Sequence, residues 1–245
     1  MELLNKHVSI RKFRNKPIER SLLENIIYSG TKTSTTGNMQ LYSVIVTQEK
    51  KNIEKLAPFH FNQPLLKSVP VLLTFVADFN RFSKWCKENN AVPGYDNFLS
   101  FITASIDALL VAQNVCIAAE NSGLGICYLG TTTYNAPEII DALGLPKLTF
   151  PITTIALGYP DEEPELTDRI PLDGIIHYEK YNDYTSDRIN ALYNFKESLE
   201  LSKRFVEENG KHSLAQVFTD IRYKKSDNEF FSEKLLKVLK QQGFL

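Results

Sequence analysis

Cysteine is scarce in this sequence, and its few copies form no pattern that would hold a metal or a disulfide framework. Cys86, Cys116 and Cys127 are the only three among 245 residues. No Cys-x-x-Cys pair occurs, and an odd count leaves at least one thiol unpaired. Cys116 and Cys127 lie among apolar neighbours, so we predict that they are small core residues. No metal site is predicted, and a reducing cytoplasm is the expected location.

The sequence also lacks an excess of charge of either sign and a signal peptide. Its formal net charge is −1, so no overall field would draw the chain to nucleic acid or to an anionic membrane. Residues 1–7 contain no apolar core of a signal peptide. No apolar run approaches the roughly 18 residues that a membrane span requires. We therefore expect no nucleic-acid partner and no membrane.

Two common nucleotide-binding motifs are missing as well. A Rossmann site needs Gly-x-Gly-x-x-Gly between a strand and a helix. Here Gly123 and Gly125 follow a predicted helix, and the next glycine, Gly130, is displaced. The Gly-Lys-Ser or Gly-Lys-Thr of a phosphate-binding loop does not occur. A nucleotide cofactor would therefore have to be held in another way.

The hydrophobic pattern predicts helices and strands without a regular βαβ order. Residues 18–30 have the spacing of an amphipathic helix, and residues 69–77 form a continuous apolar run that is typical of a buried strand. The further predicted elements are a helical turn at 1–6, strands at 41–47, 126–129 and 151–158, helices at 98–122 and 136–143, and charged helical segments from 181 to the end. This order favours an α+β fold with a mixed sheet over a doubly wound fold.

Two neighbouring segments in the middle of the chain have unusual composition. Apolar residues cover most of the circumference of the helix predicted at 98–122, which indicates burial on several sides. Residues 81–95, which include Trp85, are mixed in composition and are predicted to form a mobile excursion. The aromatic side chains of 81–98 could cover a ligand site or pack against the sheet, and the sequence leaves both open.

The N-terminal segment carries several hydrogen-bond donors within a few residues. In an extended strand, His7, Ser9 and Arg11 project to the same side, because side chains alternate with a period of two. That side could hold a phosphate, with a bidentate contact from Arg11. The alternative interpretation is a solvated basic N-terminus.

Three further segments could bind a polar ligand. Residues 34–40, Ser-Thr-Thr-Gly-Asn-Met-Gln, offer hydroxyl and amide groups around a flexible glycine, although an ordinary turn has the same composition. Residues 128–131, Tyr-Leu-Gly-Thr, place Gly130 where a planar ring could approach the backbone closely. Arg169 lies in a proline-flanked loop with no obvious partner.

In this order and spacing, these segments resemble the nitroreductase superfamily, and most of all its major oxygen-insensitive nitroreductases and NADPH–flavin oxidoreductases. The resemblance spans residues 1–180 and is weaker beyond them. Its motifs are His7-x-Ser9-Ile10-Arg11-Lys12-Phe13, Ser34 to Gln40 running into Tyr42-Ser43-Val44-Ile45, Val76-Ala77-Asp78-Phe79, Asp107-Ala108 to Gly125, Tyr128-Leu129-Gly130, Gly158-Tyr159-Pro160 and Arg169-Ile170-Pro171-Leu172.

The resemblance implies a fold, an assembly and a cofactor. The family fold is a mixed, mainly antiparallel sheet surrounded by helices, assembled as an intertwined homodimer with two FMN sites at the interface. It implies an FMN-binding core at 1–180 and, in the same domain, a helical C-terminal extension at 181–245 that embraces the partner subunit. Many relatives have a lysine two residues before the loop arginine. This chain has Thr167 there, which weakens the predicted phosphate grip by one cation.

The resemblance also implies which residues bind the cofactor. The implied set is His7, Ser9 and Arg11 for the phosphate, with Arg169 from the later loop; Ser34, Thr35 and Gln40, reaching the flavin of the other subunit; Gln63 near the pyrimidine end of the ring; and Tyr128, Leu129 and Gly130 along the backbone beside N5 and O4.

The activity implied by the resemblance is that of an FMN-dependent NAD(P)H oxidoreductase. Hydride passes from NAD(P)H to the flavin N5 and then to a nitroaromatic, quinone or flavin acceptor in a ping-pong cycle. No side chain is predicted as an acid or a base, and His60, near Gln63, is predicted to be a surface histidine. The coenzyme preference stays open. The alternatives are a flavin-binding or sequestering dimer with little turnover, and a scaffold without flavin.

Overall fold

The computed structural model describes all 245 residues, and the chain forms two compact units. The first unit consists of Met1–Glu165 together with Glu233–Leu245, and the second is Leu166–Ser232. The sequence predicts instead a cofactor-binding core at 1–180 and an extension at 181–245. That division stays a prediction, because compactness does not report which residues hold a cofactor.

A four-stranded sheet forms the centre of the first unit. Its strands are β1 (Tyr42–Thr47), β2 (Val71–Asp78), β3 (Gly125–Leu129) and β4 (Thr149–Gly158), in the order β1-β2-β4-β3. All neighbouring pairs are antiparallel. Every residue of β2 is buried, which explains why this strand reads as a continuous apolar run rather than an alternating one. The predicted α+β class is confirmed.

Helices cover both faces of this sheet and make up most of the second unit. Those of the first unit are α1 (Glu2–Asn5), α2 (Arg20–Gly30), α3 (Lys50–Leu56), α4 (Asn80–Glu88), α5 (Phe98–Asn121) and α6 (Ala136–Leu143). The second unit contains α7 (Ser186–Ser198), α8 (Glu200–Glu208) and α9 (Leu214–Val217), and the last helix is α10 (Lys225–Gln242).

Helix α5 has two apolar faces, of which only one is buried within the chain. Asn97 caps its start by accepting a hydrogen bond from the backbone amide of Ser100 at 3.0 Å. One face, including Val111 and Val115, packs in the core with the β2 and β4 side chains. The other face is exposed, and its large side chains are Phe98, Leu99, Ile102, Ile106, Leu109 and Leu110. We call these six residues the α5 apolar stripe. Within one chain, α5 is therefore buried on one face only, and not on the several sides that the sequence predicts.

Two expectations for this part of the chain are wrong. By length and composition alone, α5 could cross a membrane, because an 18-residue window of it has a mean hydropathy of 1.7, so an apolar segment of spanning length does occur. Core helices of soluble proteins pass the same test, and the buried face of α5 packs as a core helix does. The predicted mobile excursion at 81–95 begins with α4 instead. Beyond this helix, Tyr95 stacks on Phe79 at 4.7 Å between ring centroids.

Candidate functional site

The N-terminal segment lies extended along the edge strand β3. Ser9 forms a parallel bridge with Ile126, and Phe13 forms an antiparallel bridge with Pro160. The backbone amide of Ile10 donates to the carbonyl of Ile126 at 2.8 Å. Ile10 and Phe13 are buried, so their apolar side chains fix the segment in place and leave Arg11 between them exposed. The extended conformation predicted for this segment is thus present.

The polar groups of this segment have partners that the local sequence does not reveal. His7 Nδ1 lies 2.6 Å from a carboxylate oxygen of Glu120, near the end of α5. The backbone amides of Arg11 and Lys12 donate to one carboxylate oxygen of Glu162, at 2.5 and 2.9 Å. The Arg11 guanidinium donates to the carbonyl of Ser9 at 3.4 Å. Because that contact is long and exposed, the guanidinium can turn to an incoming anion.

The loop at 34–40 is held by one buried carboxylate. Asp107, on α5, accepts hydrogen bonds from the amide of Thr36 at 2.9 Å, from its hydroxyl at 3.1 Å and from the amide of Leu41 at 3.2 Å. Gly37, Asn38 and Gln40 all have φ near +55°, a conformation that needs outside support in residues other than glycine. Asp107 supplies that support.

This arrangement leaves the ends of the loop available to a ligand. Ser34 and Gln40 are exposed, and Thr35 is half-buried. Gln40 and Tyr42 also offer their carbonyls to the guanidinium of Arg81 on α4. The predicted ligand-binding side chains of the loop thus project outward from a backbone that is fixed on both sides.

The loop and the N-terminal segment meet α5 at different points. Asp107 binds the loop and Glu120 binds His7. At roughly 1.5 Å per residue, these two positions lie about 20 Å apart along the helix axis. Within a single chain, the loop that carries Ser34, Thr35 and Gln40 is therefore anchored far from the N-terminal residues that are predicted to bind the phosphate. This is expected if the loop contributes to the cofactor site of another subunit.

The end of β3 carries the second half of the candidate site. Leu129 is buried, whereas Gly130 is exposed, and a Cβ added to Gly130 would meet nothing within 4 Å. The hydroxyl of Tyr128 donates to the side-chain carbonyl of Gln113 at 3.3 Å, and burial raises the pKa of this phenol. Gln63 reaches the same end of β3, because its amide donates to the Thr131 hydroxyl at 3.5 Å.

The predicted burial of Cys116 and Cys127 is confirmed, and it lowers the reactivity of both thiols. Cys86, Cys116 and Cys127 are free thiols inside the protein. Desolvation raises the pKa of Cys116 to about 12 and also raises the pKa of Cys127. Neither side chain is a thiolate near neutral pH, so neither is a reactive nucleophile.

His60 is buried rather than on the surface, which corrects the sequence prediction. It is 1% exposed and ends the helical turn Ala57–His60. Its Nδ1 lies 2.9 Å from the Thr131 hydroxyl. Desolvation lowers the pKa of this imidazole to about 4, so it is neutral at physiological pH.

This lowered pKa makes stability depend on pH in a defined direction. Between pH 7 and pH 5 the unfolded chain protonates His60, with its ordinary pKa of 6.5, while the folded chain does not. Stability is therefore lost as the pH falls, by about 2 kcal/mol over this interval for one group. Urea unfolding at both pH values measures the loss. His60→Asn, which does not titrate there, should lose about 2 kcal/mol less than the wild type, and equal losses would contradict the assignment.

Arg169 belongs to the second unit, where its guanidinium donates to groups of its own loop. These are the Thr167 hydroxyl at 2.5 Å and the Asp168 carbonyl at 2.9 Å. The Asp168 carboxylate pairs with Lys196 at 2.7 Å. Thr167, which stands where many relatives have a lysine, thus positions the arginine by a hydrogen bond and adds no charge.

A cleft of about 740 Å³ overlaps the predicted site at one residue only. It is lined by Gln63 and by none of the other predicted site residues. Lys16, Lys50 and Lys67 lie along it together with Glu54. A site that is completed by a second subunit would be open to solvent in a single chain and would not form a closed cleft there.

Comparison with known proteins identifies the family. The profile of the nitroreductase family matches residues 4–159. An NADPH-dependent oxidoreductase of Staphylococcus aureus (strain USA300) is 32% identical over 184 residues, which are 74% of this chain and 73% of that protein. A candidate oxidoreductase from Bacteroides fragilis NCTC 9343 has a crystal structure that matches 100% of both chains, with a TM-score of 0.99 and 57% identity. The structure of the NADPH:FMN oxidoreductase of Vibrio harveyi, complexed with NAD+, matches 89% of this chain and 94% of that one, with a TM-score of 0.76 and 26% identity.

The chain belongs to the nitroreductase family. It is an oxidoreductase, and the fold and family predicted from the sequence are confirmed. The roles of the individual site residues stay predictions.

Proposed function

We propose that the protein is an FMN-dependent NAD(P)H oxidoreductase that works as a cytoplasmic homodimer with FMN at the subunit interface. Bound FMN would supply the redox chemistry, by taking a hydride from NAD(P)H and passing it to a nitroaromatic, quinone or flavin acceptor in a ping-pong cycle. The protein would bind the cofactor and its substrates, orient them and provide the electrostatic environment. The NADPH-dependent and NADPH:FMN oxidoreductases among its relatives support this proposal.

The observation that carries the proposal is the open space above Gly130. Gln63 lies near this space, because its amide donates a hydrogen bond to the hydroxyl of the next residue, Thr131. Gly130 does not have a positive φ, so the turn does not require glycine. An unobstructed backbone beside an amide side chain suits a planar ring with donors and acceptors along its edge. Arg11, exposed on the N-terminal segment that lies along β3, suits the phosphate of such a ligand.

The residues that would hold FMN come from both subunits in this proposal. His7, Ser9, Arg11 and Arg169 would bind the phosphate, Gln63 the pyrimidine end, and Tyr128, Leu129 and Gly130 the ring edge, while Ser34, Thr35 and Gln40 would reach in from the partner subunit. The 20 Å separation along α5, estimated above from the helix rise, supports the last assignment. The exposed α5 apolar stripe supports the dimer, because an uncovered apolar face of this length marks an interaction surface.

An absorbance spectrum of the purified protein tests the proposal first. Flavin bands that bleach when NADPH or NADH is added without oxygen, and return with a quinone, are expected, and the faster coenzyme defines the preference. Bands that appear with FMN but do not bleach would favour a flavin-binding dimer with little turnover. A spectrum without visible bands after incubation with FMN would reject the cofactor and with it the proposed function.

Gly130→Ala separates the role of this glycine in binding from any role in folding. Because its Cβ would meet nothing within 4 Å, the stability of the cofactor-free protein should change by less than about 0.5 kcal/mol. FMN affinity should fall about tenfold, because the methyl group would occupy the space above the backbone. Fluorescence titration with FMN and urea unfolding measure the two effects. Gly94→Ala, equally open in space, should change neither.

A further inference from the structure

The turn that carries Gln63 has an unusual backbone. Phe61 and Asn62 both adopt the left-handed conformation, with φ of 55° and 51°, and Gln63 follows directly. Two consecutive residues of this kind, neither of them glycine, are costly unless the surroundings hold them. Backbone amides of the turn donate back to Pro58 at 3.1 Å and to Ala57 at 2.9 Å. These local bonds close the turn but do not connect it to the end of β3.

Two side-chain contacts make that connection. His60 Nδ1 lies 2.9 Å from the Thr131 hydroxyl. One turn away, the Asn135 amide donates to the carbonyl of Phe59 at 2.8 Å. Both contacts join residues 57–63 to the segment that directly follows Gly130. Gln63 and the end of β3 are therefore held together.

The hydroxyl of Thr131 links the side chains of Gln63 and His60. The Gln63 amide nitrogen can only donate, and it points at this hydroxyl at 3.5 Å. We assign to His60 the neutral tautomer with its proton on Nε2, in which the Thr131 hydroxyl donates to Nδ1 while it accepts from the Gln63 amide. His60 is neutral at physiological pH, so Nδ1 can accept. The Gln63 carbonyl oxygen and one of its N–H groups stay available to a ligand.

We infer that His60 and Thr131 form a positioning pair that orients the Gln63 amide toward the cofactor and thereby stabilises its reduced form. This inference rests on the proposed function. His60 and Thr131 do not touch the cofactor; they act through Gln63. His60 and Thr131 hold Gln63 so that its amide can donate a hydrogen bond to the edge of a planar ring. That ring gains negative charge on reduction, so the hydrogen bond favours the reduced form.

The test measures the midpoint potential of FMN bound to the dimeric holoprotein. Thr131→Val keeps the side-chain shape and removes the hydroxyl, and His60→Leu removes the acceptor. Each should weaken binding of reduced FMN relative to oxidised FMN about tenfold, which lowers the potential by about 30 mV for a two-electron couple. Thr131→Ser, which keeps the hydroxyl, and His60→Asn, which keeps an acceptor, should both stay near the wild-type potential.

A Gln63→Leu background separates this role from a merely structural one. If Thr131 acts through Gln63, then adding Thr131→Val to Gln63→Leu should not lower the potential further. Equal lowering in both backgrounds would overturn the inference. So would an unchanged potential in Thr131→Val, or in His60→Leu if Thr131→Val does not fold. Failure of the wild-type protein to bind FMN would instead reject the proposed function.

Discussion

Asp107→Ala is expected to lower the free energy of unfolding by about 3 kcal/mol. The buried carboxylate accepts three hydrogen bonds, two of them from the Thr36 amide and hydroxyl and one from the Leu41 amide. Hydrogen bonds to a charged group are worth roughly 1.5–3 kcal/mol each, and buried donors left without a partner add to the cost. The desolvation of the carboxylate itself offsets part of this sum. Urea denaturation should show a lower midpoint with an unchanged slope.

Two variants control this experiment. Asp107→Asn keeps the shape and one acceptor oxygen, so it should lose about half as much stability. Asp141→Ala removes a carboxylate that is exposed on α6, and its effect should stay within about 0.5 kcal/mol. A loss of less than about 0.5 kcal/mol in Asp107→Ala would mean that the loop at 34–40 does not depend on this anchor.

The main elements of the fold were predictable because each has a strong local pattern. The run at 69–77 and the helix at 98–122 were placed within two residues at each end, as β2 and α5. Lys50–Leu56 and Asn80–Glu88 are helices of only 7 and 9 residues, which are too short to show a long periodic pattern in the sequence. Their stability comes from packing in the tertiary structure, which a window of sequence does not contain.

The burial of individual polar residues was harder to predict from the sequence. His60 reads as a surface residue because its neighbours are mixed in polarity, but its hydrogen-bond partner, Thr131, is 71 residues away in sequence. The partners of His7 and Arg11 are Glu120 and Glu162, which are 113 and 151 residues away. No local pattern reports such pairs.

Asp107 is the case in which a signal did exist. It is the only charged residue within a long apolar stretch of α5. A carboxylate in such a position costs too much free energy to bury without partners, so a buried Asp107 had to bind donors from another segment. The resemblance identified the motif around it, but the role of the residue emerges only from its three contacts.

Ile106→Lys is expected to weaken dimerisation at least about 100-fold. Ile106 is 51% exposed in the single chain, in the middle of the α5 apolar stripe, so lysine there should not harm the folded subunit. In a symmetric dimer the change occurs twice, and each copy loses about 1.5 kcal/mol or more of apolar burial. The sum of about 3 kcal/mol corresponds to the factor of 100. Sedimentation over a range of protein concentrations measures the dissociation constant.

The same variant links assembly to the cofactor. If Ser34, Thr35 and Gln40 reach the site of the partner subunit, FMN affinity should fall together with the dimer and recover at concentrations that restore it. Val92→Lys adds the same charge at a residue that is 96% exposed and lies outside the stripe, and it should change neither quantity. Unchanged dimerisation in Ile106→Lys would mean that the exposed face of α5 is not the subunit interface. Loss of the dimer with FMN affinity intact would place the whole cofactor site within one chain.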